Sequence, residues 1–309
     1  MKNFLLVIVL LIAGSLGAID DMIPYLLVHL DNIETYDVDC FEDQVILHNK
    51  NYIFIYSIFN PWQPRPEAVF LSSNRIEDVN ILGDNQLYVC SHEASNTISS
   101  VDTLAYSGRI YFTNNIIGDK ITREGSILYV ADRFRGIDII DIGKGGMREI
   151  KSTFSEKWGI RDFYAEYPYL YALNDFGLVT VNISNLQFPI SMGINYEIAN
   201  ATVLAKNGDI IWIGAEKQLL ALNVADLDHP RLVNQFRLSN DIQDMEIKDD
   251  RLFLALGRGG VKILGIKNPF RVMDLNTIYP ARSVYDVALS KELVFLALGK
   301  DGWMIYEYK

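Results

Sequence analysis

Cysteine is scarce in this chain. Only Cys40 and Cys90 occur among the 309 residues, far fewer than the sets of cysteines that hold small secreted domains together. The sequence therefore excludes a disulfide-framework protein. In an exported protein the two thiols could pair, but their spacing does not require contact, and we favour two small buried side chains instead.

Histidines and nucleophile motifs are equally sparse. The four histidines, His29, His48, His92 and His229, show none of the close spacings of a zinc site. No Gly-x-Ser-x-Gly motif is present to hold a catalytic serine. The glycine-rich segment 257–260 opens a strand rather than a helix, which does not suit a phosphate-binding loop. We therefore expect no metal site, no cofactor and no catalytic motif.

Basic residues are in the minority. The chain has 28 lysines and arginines against 39 aspartates and glutamates, a net charge of −11. Such a balance favours solubility and repels the phosphates of nucleic acid. We expect no nucleic-acid partner.

The one long apolar run lies at the N-terminus. Lys2 precedes ten apolar residues, 4–13, half of the ~20 that a bilayer span needs. Ser15 and Gly17 are small residues at a suitable cleavage site. We predict that residues 1–18 are a cleaved secretory signal, the alternative being an uncleaved anchor. Residues 19–309 would then form one exported domain without a membrane span, in a periplasm, outside the cell or on its surface.

Seven copies of one pattern fill the rest of the chain. Their apolar triplets start 41 or 42 residues apart, and the middle residue is aromatic in six of the seven. The triplets are Val45-Ile46-Leu47, Leu87-Tyr88-Val89, Leu128-Tyr129-Val130, Leu170-Tyr171-Ala172, Ile211-Trp212-Ile213, Leu252-Phe253-Leu254 and Val294-Phe295-Leu296. This period, with several short strands in each unit, is typical of β-propeller blades. The sequence predicts an all-β, seven-bladed β-propeller whose repeats start near residues 36, 77, 119, 161, 200, 243 and 285.

The two ends of the chain predict how the ring closes. The last repeat stops after its third strand, at Lys309. Residues 24–30 resemble the starts of the fourth strands at 230–236 and 269–275. We expect this N-terminal segment to complete the last blade, because a ring without exposed sheet edges avoids unpaired backbone groups.

The third repeat carries a family resemblance. Residues 128–132 (Leu-Tyr-Val-Ala-Asp) and 136–142 (Gly-Ile-Asp-Ile-Ile-Asp-Ile) resemble the LVIVD repeat, named for its Leu-Val-Ile-Val-Asp strand. Asn60-Pro61 and Asn268-Pro269 match the Asn-Pro pair that often follows the third strand. The resemblance extends from Tyr36 to Lys309, and repeats two and five depart from it. It implies a propeller in an exported bacterial or archaeal surface protein, and it implies no activity.

Two adjacent columns of the repeat alignment would lie at the mouth of the central channel. The acidic column consists of Asp37, Asp78, Lys120, Asp162, Ala201, Asp244 and Asp286. Its acids could hold a cation, but we favour a structural role in which they accept backbone N–H bonds between blades. The variable column consists of Tyr36, Glu77, Asp119, Arg161, Asn200, Gln243 and Tyr285. Its variation suits either a binding surface or solvated loop ends.

The neighbouring loops supply the remaining candidates. Arg133 and Arg135 flank Phe134, and Asp175 lies in the next repeat. Arginine and aromatic side chains are enriched at interface hot spots, although an ordinary exposed turn has the same composition. The candidate binding face is therefore Tyr36, Glu77, Arg161, Gln243, Tyr285, Arg133, Phe134, Arg135 and Asp175.

Three functions remain open. The leading hypothesis is a non-catalytic scaffold that binds a protein or envelope component through this face. The second is an enzyme of the hydrolase or lactonase type, with Asp39 and Glu246 in the channel as acid and base. The third is a structural part of a surface assembly that uses the outer edges of the blades.

Overall fold

The protein is an all-β propeller. The computed structural model describes residues 23–72, 74–82, 86–91, 98–103, 109–143, 149–155, 159–195, 198 and 200–308. The predicted signal, residues 1–18, lies outside the described residues. Within these ranges the chain forms strands and turns, and it contains no helix long and apolar enough to cross a membrane.

Short strands follow one another along the chain. Their bounds are β1 (Tyr25–Leu30), β2 (Asp37–Phe41), β3 (Gln44–His48), β4 (Tyr52–Ser57), β5 (Arg65–Ser72), β6 (Asp78–Leu82), β7 (Gln86–Ser91), β8 (Ile98–Thr103), β9 (Arg109–Ile117), β10 (Lys120–Glu124), β11 (Ile127–Asp132), β12 (Gly136–Asp141), β13 (Glu149–Phe154), β14 (Asp162–Glu166), β15 (Tyr169–Asn174), β16 (Gly177–Asn182), β17 (Ile190–Asn195), β18 (Ala201–Asn207), β19 (Ile210–Ala215), β20 (Gln218–Asn223), β21 (Arg231–Arg237), β22 (Asp244–Lys248), β23 (Arg251–Ala255), β24 (Val261–Gly265), β25 (Met273–Ile278), β26 (Asp286–Ser290), β27 (Leu293–Ala297) and β28 (Trp303–Glu307).

Six sheets contain four antiparallel strands in the order expected of a blade. Four of them are β10–β13, β14–β17, β18–β21 and β22–β25. The sheet β2–β5 carries β8 as a fifth strand beside β5, and the sheet β26–β28 is joined by β1 next to β28. The second repeat departs from the pattern, because β6, β7 and β9 form three strands with a parallel β7–β9 pair. The structure therefore shows six regular blades, and the predicted seventh is not confirmed.

The predicted apolar triplets lie in the second strand of each sheet. These strands are buried on both faces, as in β11 and β15, whereas fourth strands such as β21 are largely exposed. The hydrophobic clusters lie between successive sheets: one joins residues of β22–β25 to β26–β28, and another joins β2–β4 to β26–β28 and β1. Burial on both faces explains why the second strands are continuous apolar runs rather than alternating ones.

The first strands surround the centre. They contact one another in chain order (β2, β6, β10, β14, β18, β22 and β26), and β26 contacts β2 in turn. Because the six regular sheets are antiparallel, the starts of their first strands and the turns between their second and third strands share one end of the molecule. We call this end the mouth. The turns between third and fourth strands lie at the other end.

The N-terminal strand is held at several points. Tyr25 to Leu30 pairs with Glu307 to Trp303, with a bulge between Leu26 and Val28. The backbone of Thr35 exchanges two hydrogen bonds with Gly299, at 3.0 and 2.7 Å. Gly302 has a φ of +83°, and a Cβ there would lie 1.9 Å from the carbonyl oxygen of Leu30. Only glycine permits this close approach of the two segments.

Candidate functional site

The two columns predicted from the repeats meet in one cavity at the mouth. Its volume is about 250 Å³, and its wall includes every member of the acidic column except Ala201 and every member of the variable column except Asn200. The structure thus brings together Tyr36, Glu77, Arg161, Gln243 and Tyr285 of the predicted binding face. Arg133 and Asp175 join them through ion pairs to residues of the variable column.

The acidic column links neighbouring sheets. Its carboxylates accept the backbone N–H of the next first strand: Val38 donates to Asp286, Ile121 to Asp78 and Leu204 to Asp162, each at 2.7 Å, and Val287 donates to Asp244 at 3.3 Å. This geometry agrees with the structural interpretation of the column. Each acid satisfies a donor that would otherwise lack a partner where two sheets meet.

The ionisable groups of the acidic column differ in their pKa values. Burial, and then the nearby charges of Asp244 and Asp37, raise the pKa of Asp286 well above its usual range. The interaction between the carboxyl groups of Asp244 and Asp286 raises the pKa of Asp286 and partly offsets the effect of burial, which raises the pKa of Asp244. Lys120 binds the carboxylate of Asp162. Burial lowers the pKa of Lys120, but the charge and hydrogen bond of Asp162 more than offset this effect and raise it overall.

Charged side chains of the variable column are held by ion pairs. Arg133 donates from Nε and Nη2 to Asp119 Oδ1, at 2.9 and 2.6 Å, and its backbone N–H donates to Asp119 Oδ2 at 2.8 Å. Arg161 donates from Nε to Asp175 Oδ1 at 2.9 Å, and its Nη2 lies 2.7 Å from the same oxygen. Both pairs join residues 14 positions apart. In the first pair the acid comes first in the chain, and in the second pair the arginine comes first. The two arginines therefore have fixed directions.

Two neighbouring turns present a phenylalanine at the mouth. Phe134 is 79% exposed at the tip of the β11–β12 turn, and Phe176 is 40% exposed at the tip of the β15–β16 turn. Asp132 Oδ1 accepts the N–H groups of Phe134 and Arg135, at 2.7 and 2.9 Å. Asn174 Oδ1 accepts the equivalent pair in the next sheet, at 2.8 and 2.9 Å. These side-chain caps fix the turn backbones before any partner arrives.

The other members of the predicted face lie nearby. Tyr36 and Tyr285 meet edge to face, with ring centroids 5.1 Å apart, and the hydroxyl of Tyr36 donates to Glu34 at 2.8 Å. The guanidinium of Arg75 is 2.8 Å from Glu77. Arg135 lies 3.5 Å from Asp138 and 3.7 Å from Asp132. The mouth is therefore an aromatic and ion-paired surface around an acidic centre.

The channel acids proposed for catalysis have structural partners. Glu246 accepts the backbone N–H of Leu289. This bond lies two residues further along β22 and β26 than the bond between Asp244 and Val287. Burial, and then the charges of Asp244 and Asp39, raise the pKa of Glu246 well above its usual range. Asp39 accepts the N–H of Cys40 at 2.7 Å. The Glu246–Leu289 bond adds a second link between the sheets of β22 and β26.

The two cysteines do not pair. Cys90 is buried and Cys40 is half-buried, and both are free thiols. The Sγ of Cys40 donates to the carbonyl of Leu289 at 3.1 Å. Burial raises the pKa of both thiols, which keeps them protonated.

Sequence reasoning missed one residue of the site. His48, at the end of β3, is 5% exposed, and its Nε2 lies 3.3 Å from Asp37 Oδ1. Asp78 of the next repeat completes a group whose nitrogen and oxygen atoms all lie within 4.8 Å of one another. The rule of close histidine spacing could not find it, because the members are 11 and 30 residues apart and come from two sheets.

Comparisons with known proteins identify the architecture. No protein-family model and no curated protein matches the chain. The computationally designed Ika8 protein matches with a TM-score of 0.64 at 11% identity, over 92% of this chain and 99% of the other. A chain of the Mitotic Checkpoint Complex matches with a TM-score of 0.66 at 11% identity, over 97% and 98%.

A third match is to PorZ of Porphyromonas gingivalis, described as an essential bacterial surface component of the type-IX secretion system. Its TM-score is 0.60 at 16% identity, over 92% of this chain but only 38% of the PorZ chain. At these identities the likenesses show the fold alone.

Proposed function

We propose that this chain is an exported, seven-bladed member of the LVIVD-repeat propellers, and that it acts as a non-catalytic scaffold whose mouth binds a protein or envelope component. The observation that carries the binding role is the pair of neighbouring turns that hold Phe134 and Phe176 at the mouth. Each tip stands on a fixed backbone beside an arginine with a fixed direction.

The proposed ring rests on contacts of the first strands. Their order returns from β26 to β2, and β1 supplies the edge partner of β28. In this reading β6, β7 and β9 belong to an irregular second blade, and the N-terminal strand closes the last one. Closure in this manner removes the exposed edge on β28 that would otherwise recruit another chain.

The proposed binding role rests on pre-organisation. Exposed aromatic side chains on rigid turns lose little conformational entropy when a partner covers them. Arginine beside an aromatic ring is the usual composition of an interface hot spot. The ion pairs with Asp119 and Asp175 do not cancel this role, because both arginines remain about half exposed, at 51% and 55% of their side chains.

The fold analogy with PorZ concerns location rather than partner. PorZ is described as a surface component of a secretion system, and the predicted signal at residues 1–18 would likewise direct this chain out of the cytoplasm. We therefore propose the cell envelope, or the outside of the cell, as the place of action.

A capture experiment tests the proposed face. Mature protein, residues 19–309, would be cross-linked to native cell envelopes and recovered beside the variant Phe134→Ser/Phe176→Ser. The matched control is Phe188→Ser/Phe270→Ser, because both of these residues are about 70% exposed and lie at the opposite end of the molecule. A partner lost from the first variant and kept by the control supports the proposal. Equal recovery by both variants refutes it.

Charge variants refine the same test. Replacing Arg133 and Arg135 by glutamate would remove the positive charge and also place acids beside Asp119. The exchange Asp119→Arg/Arg133→Asp preserves an ion pair and reproduces the order found in the Arg161–Asp175 pair. Loss of the partner on exchange, with an unchanged melting temperature, would assign the effect to recognition rather than to folding.

A further inference from the structure

A buried histidine nitrogen faces carboxylates beside the mouth. His48 lies in the wall of a neighbouring cavity of about 430 Å³, which shares Tyr36, Asp37 and Glu77 with the mouth cavity. The side chain of His48 is 6% exposed, and its Nε2 makes no hydrogen bond with any described residue, although Asp37 Oδ1 lies 3.3 Å away. The other neighbour, Asp78, also offers carboxylate oxygens. A buried polar atom without a partner is costly and calls for an explanation.

The tautomer of His48 makes the situation more definite. Its Nδ1 lies 3.4 Å from the carbonyl oxygen of Asn49, an atom that can only accept a proton. If Nδ1 carries the proton, the lone pair of Nε2 points at the two carboxylates. Three acceptors directed at one point repel one another unless a proton or a metal cation lies between them.

The repeat itself shows that histidine is not needed here for folding. The residue paired with each member of the acidic column is a hydrocarbon in five of the seven repeats: Ala131, Leu173, Ala215, Ala255 and Ala297. Only the first two repeats differ, with His48 opposite Asp37 and Cys90 opposite Asp78. A site that departs from the repeat, rather than following it, indicates a local task.

We propose that Asp37, His48 and Asp78 bind a divalent transition-metal cation of the Zn²⁺ class between the mouth cavity and the neighbouring cavity lined by His48. This proposal departs from the expectation, drawn from histidine spacing, that the protein has no metal site. Tetrahedral ligands about 2.0–2.1 Å from zinc are about 3.3 Å apart, which is the separation of His48 Nε2 and Asp37 Oδ1. The full group, within 4.8 Å, needs only side-chain adjustment to reach this geometry.

The donor set selects the kind of cation. One imidazole nitrogen and two carboxylates suit Zn²⁺ or Mn²⁺, whereas Ca²⁺ requires six to eight oxygen ligands. Asp78 is held for this task, since its oxygens accept the N–H groups of Ile121 and Val79 at 2.7 and 2.8 Å. The carbonyl of Asn49 holds the other side of the imidazole, as outer partners of metal-bound histidines do. The remaining position on the metal would open to the cavity.

Metal titration of the mature protein tests the proposal. After treatment with a chelator, wild type would be titrated with Zn²⁺ in a competition assay, with Ca²⁺ as comparison. We expect one Zn²⁺ per chain, a higher melting temperature with Zn²⁺ and no effect of Ca²⁺. His48→Ala should weaken Zn²⁺ binding at least about 100-fold, and it should fold, because alanine occupies the equivalent position in four other repeats.

The controls separate this site from surface binding. His229→Ala removes an exposed histidine beside Asp226 and should leave Zn²⁺ binding unchanged. Asp78→Asn should weaken binding as His48→Ala does. The zinc X-ray absorption spectrum of wild type should show one imidazole among oxygen ligands, independently of any variant. No Zn²⁺ binding at micromolar concentrations, or equal binding by wild type and His48→Ala, overturns the proposal and leaves a protonated His48 as the occupant of this space.

Discussion

Replacing Asp162 by alanine should measure how strongly the acidic column ties the sheets together. This carboxylate is 2% exposed and serves three donors. It accepts the N–H of Leu204 in the next sheet at 2.7 Å and the N–H of its chain neighbour Phe163 at 2.8 Å. It also binds the ammonium of Lys120 in the preceding sheet. One side chain thus joins three sheets.

The cost follows from the groups left behind. A buried N–H without a partner costs about 1–3 kcal/mol, and breaking a buried ion pair from one side costs about 3–5 kcal/mol. The Lys120 side chain is 41% exposed, so it can turn toward water and part of that cost is screened. We therefore expect Asp162→Ala to lower the free energy of unfolding by about 2–4 kcal/mol. Asp162→Asn keeps an acceptor for Leu204 and should cost about half as much.

Urea unfolding followed by tyrosine and tryptophan fluorescence would provide the values. Asp175→Ala is the matched control, because it also removes an aspartate paired with a base, but at a side chain that is 48% exposed. That control should cost less than about 1 kcal/mol. A double-mutant cycle with Lys120→Met would isolate the ion pair. If Asp162→Ala costs no more than Asp175→Ala, the column does not hold the sheets together.

Further predictions concern the pairing of β1 with β28 and the two acids Asp244 and Asp286. Deleting residues 19–33 should greatly lower the melting temperature. Gly302→Ala should lower the free energy of unfolding by about 2 kcal/mol or more, because its Cβ would overlap the carbonyl of Leu30; an unchanged melting temperature would contradict both predictions. Because the pKa of Asp286 is raised, between the ordinary aspartate pKa and the folded value the folded state holds a proton that the unfolded state has lost. Stability present below the ordinary aspartate pKa is therefore lost as the pH rises through the folded value. Asp286→Asn, which can still donate to Asp244, should make this decline shallower, and an unchanged or steeper decline would refute the raised pKa of Asp286.

The second strands were predictable because burial dictates their composition. Triplets such as Leu170-Tyr171-Ala172 are covered on both faces, so every position is apolar and the period is visible in the sequence. The pairing partner of a strand is a different matter. Nothing local to Ile98–Thr103 specifies that β8 pairs with β5 rather than with β7, because the choice depends on contacts that are distant along the chain.

The site was predicted in position but not in its interactions. The repeat alignment correctly placed Arg161 and Tyr285 at the mouth, since equivalent positions fold alike. It did not predict that Asp119 binds Arg133 across a hairpin. The overlooked signal for His48 was its place in a column whose other members are four alanines, one leucine and Cys90, which becomes informative once the strand register is known.

Site-specific photo-cross-linking in living cells tests the binding face most directly. Benzoyl-phenylalanine would replace Phe134 or Phe176 at the mouth in two variants, and Phe188 or Phe270 at the opposite end in two others. All four positions are exposed phenylalanines, so each replacement conserves an aromatic side chain. We predict that the two mouth variants form the same covalent adduct and the opposite-end variants form none. Adducts only from Phe188 or Phe270, or from none of the four positions, would contradict the assignment of the mouth as the binding face.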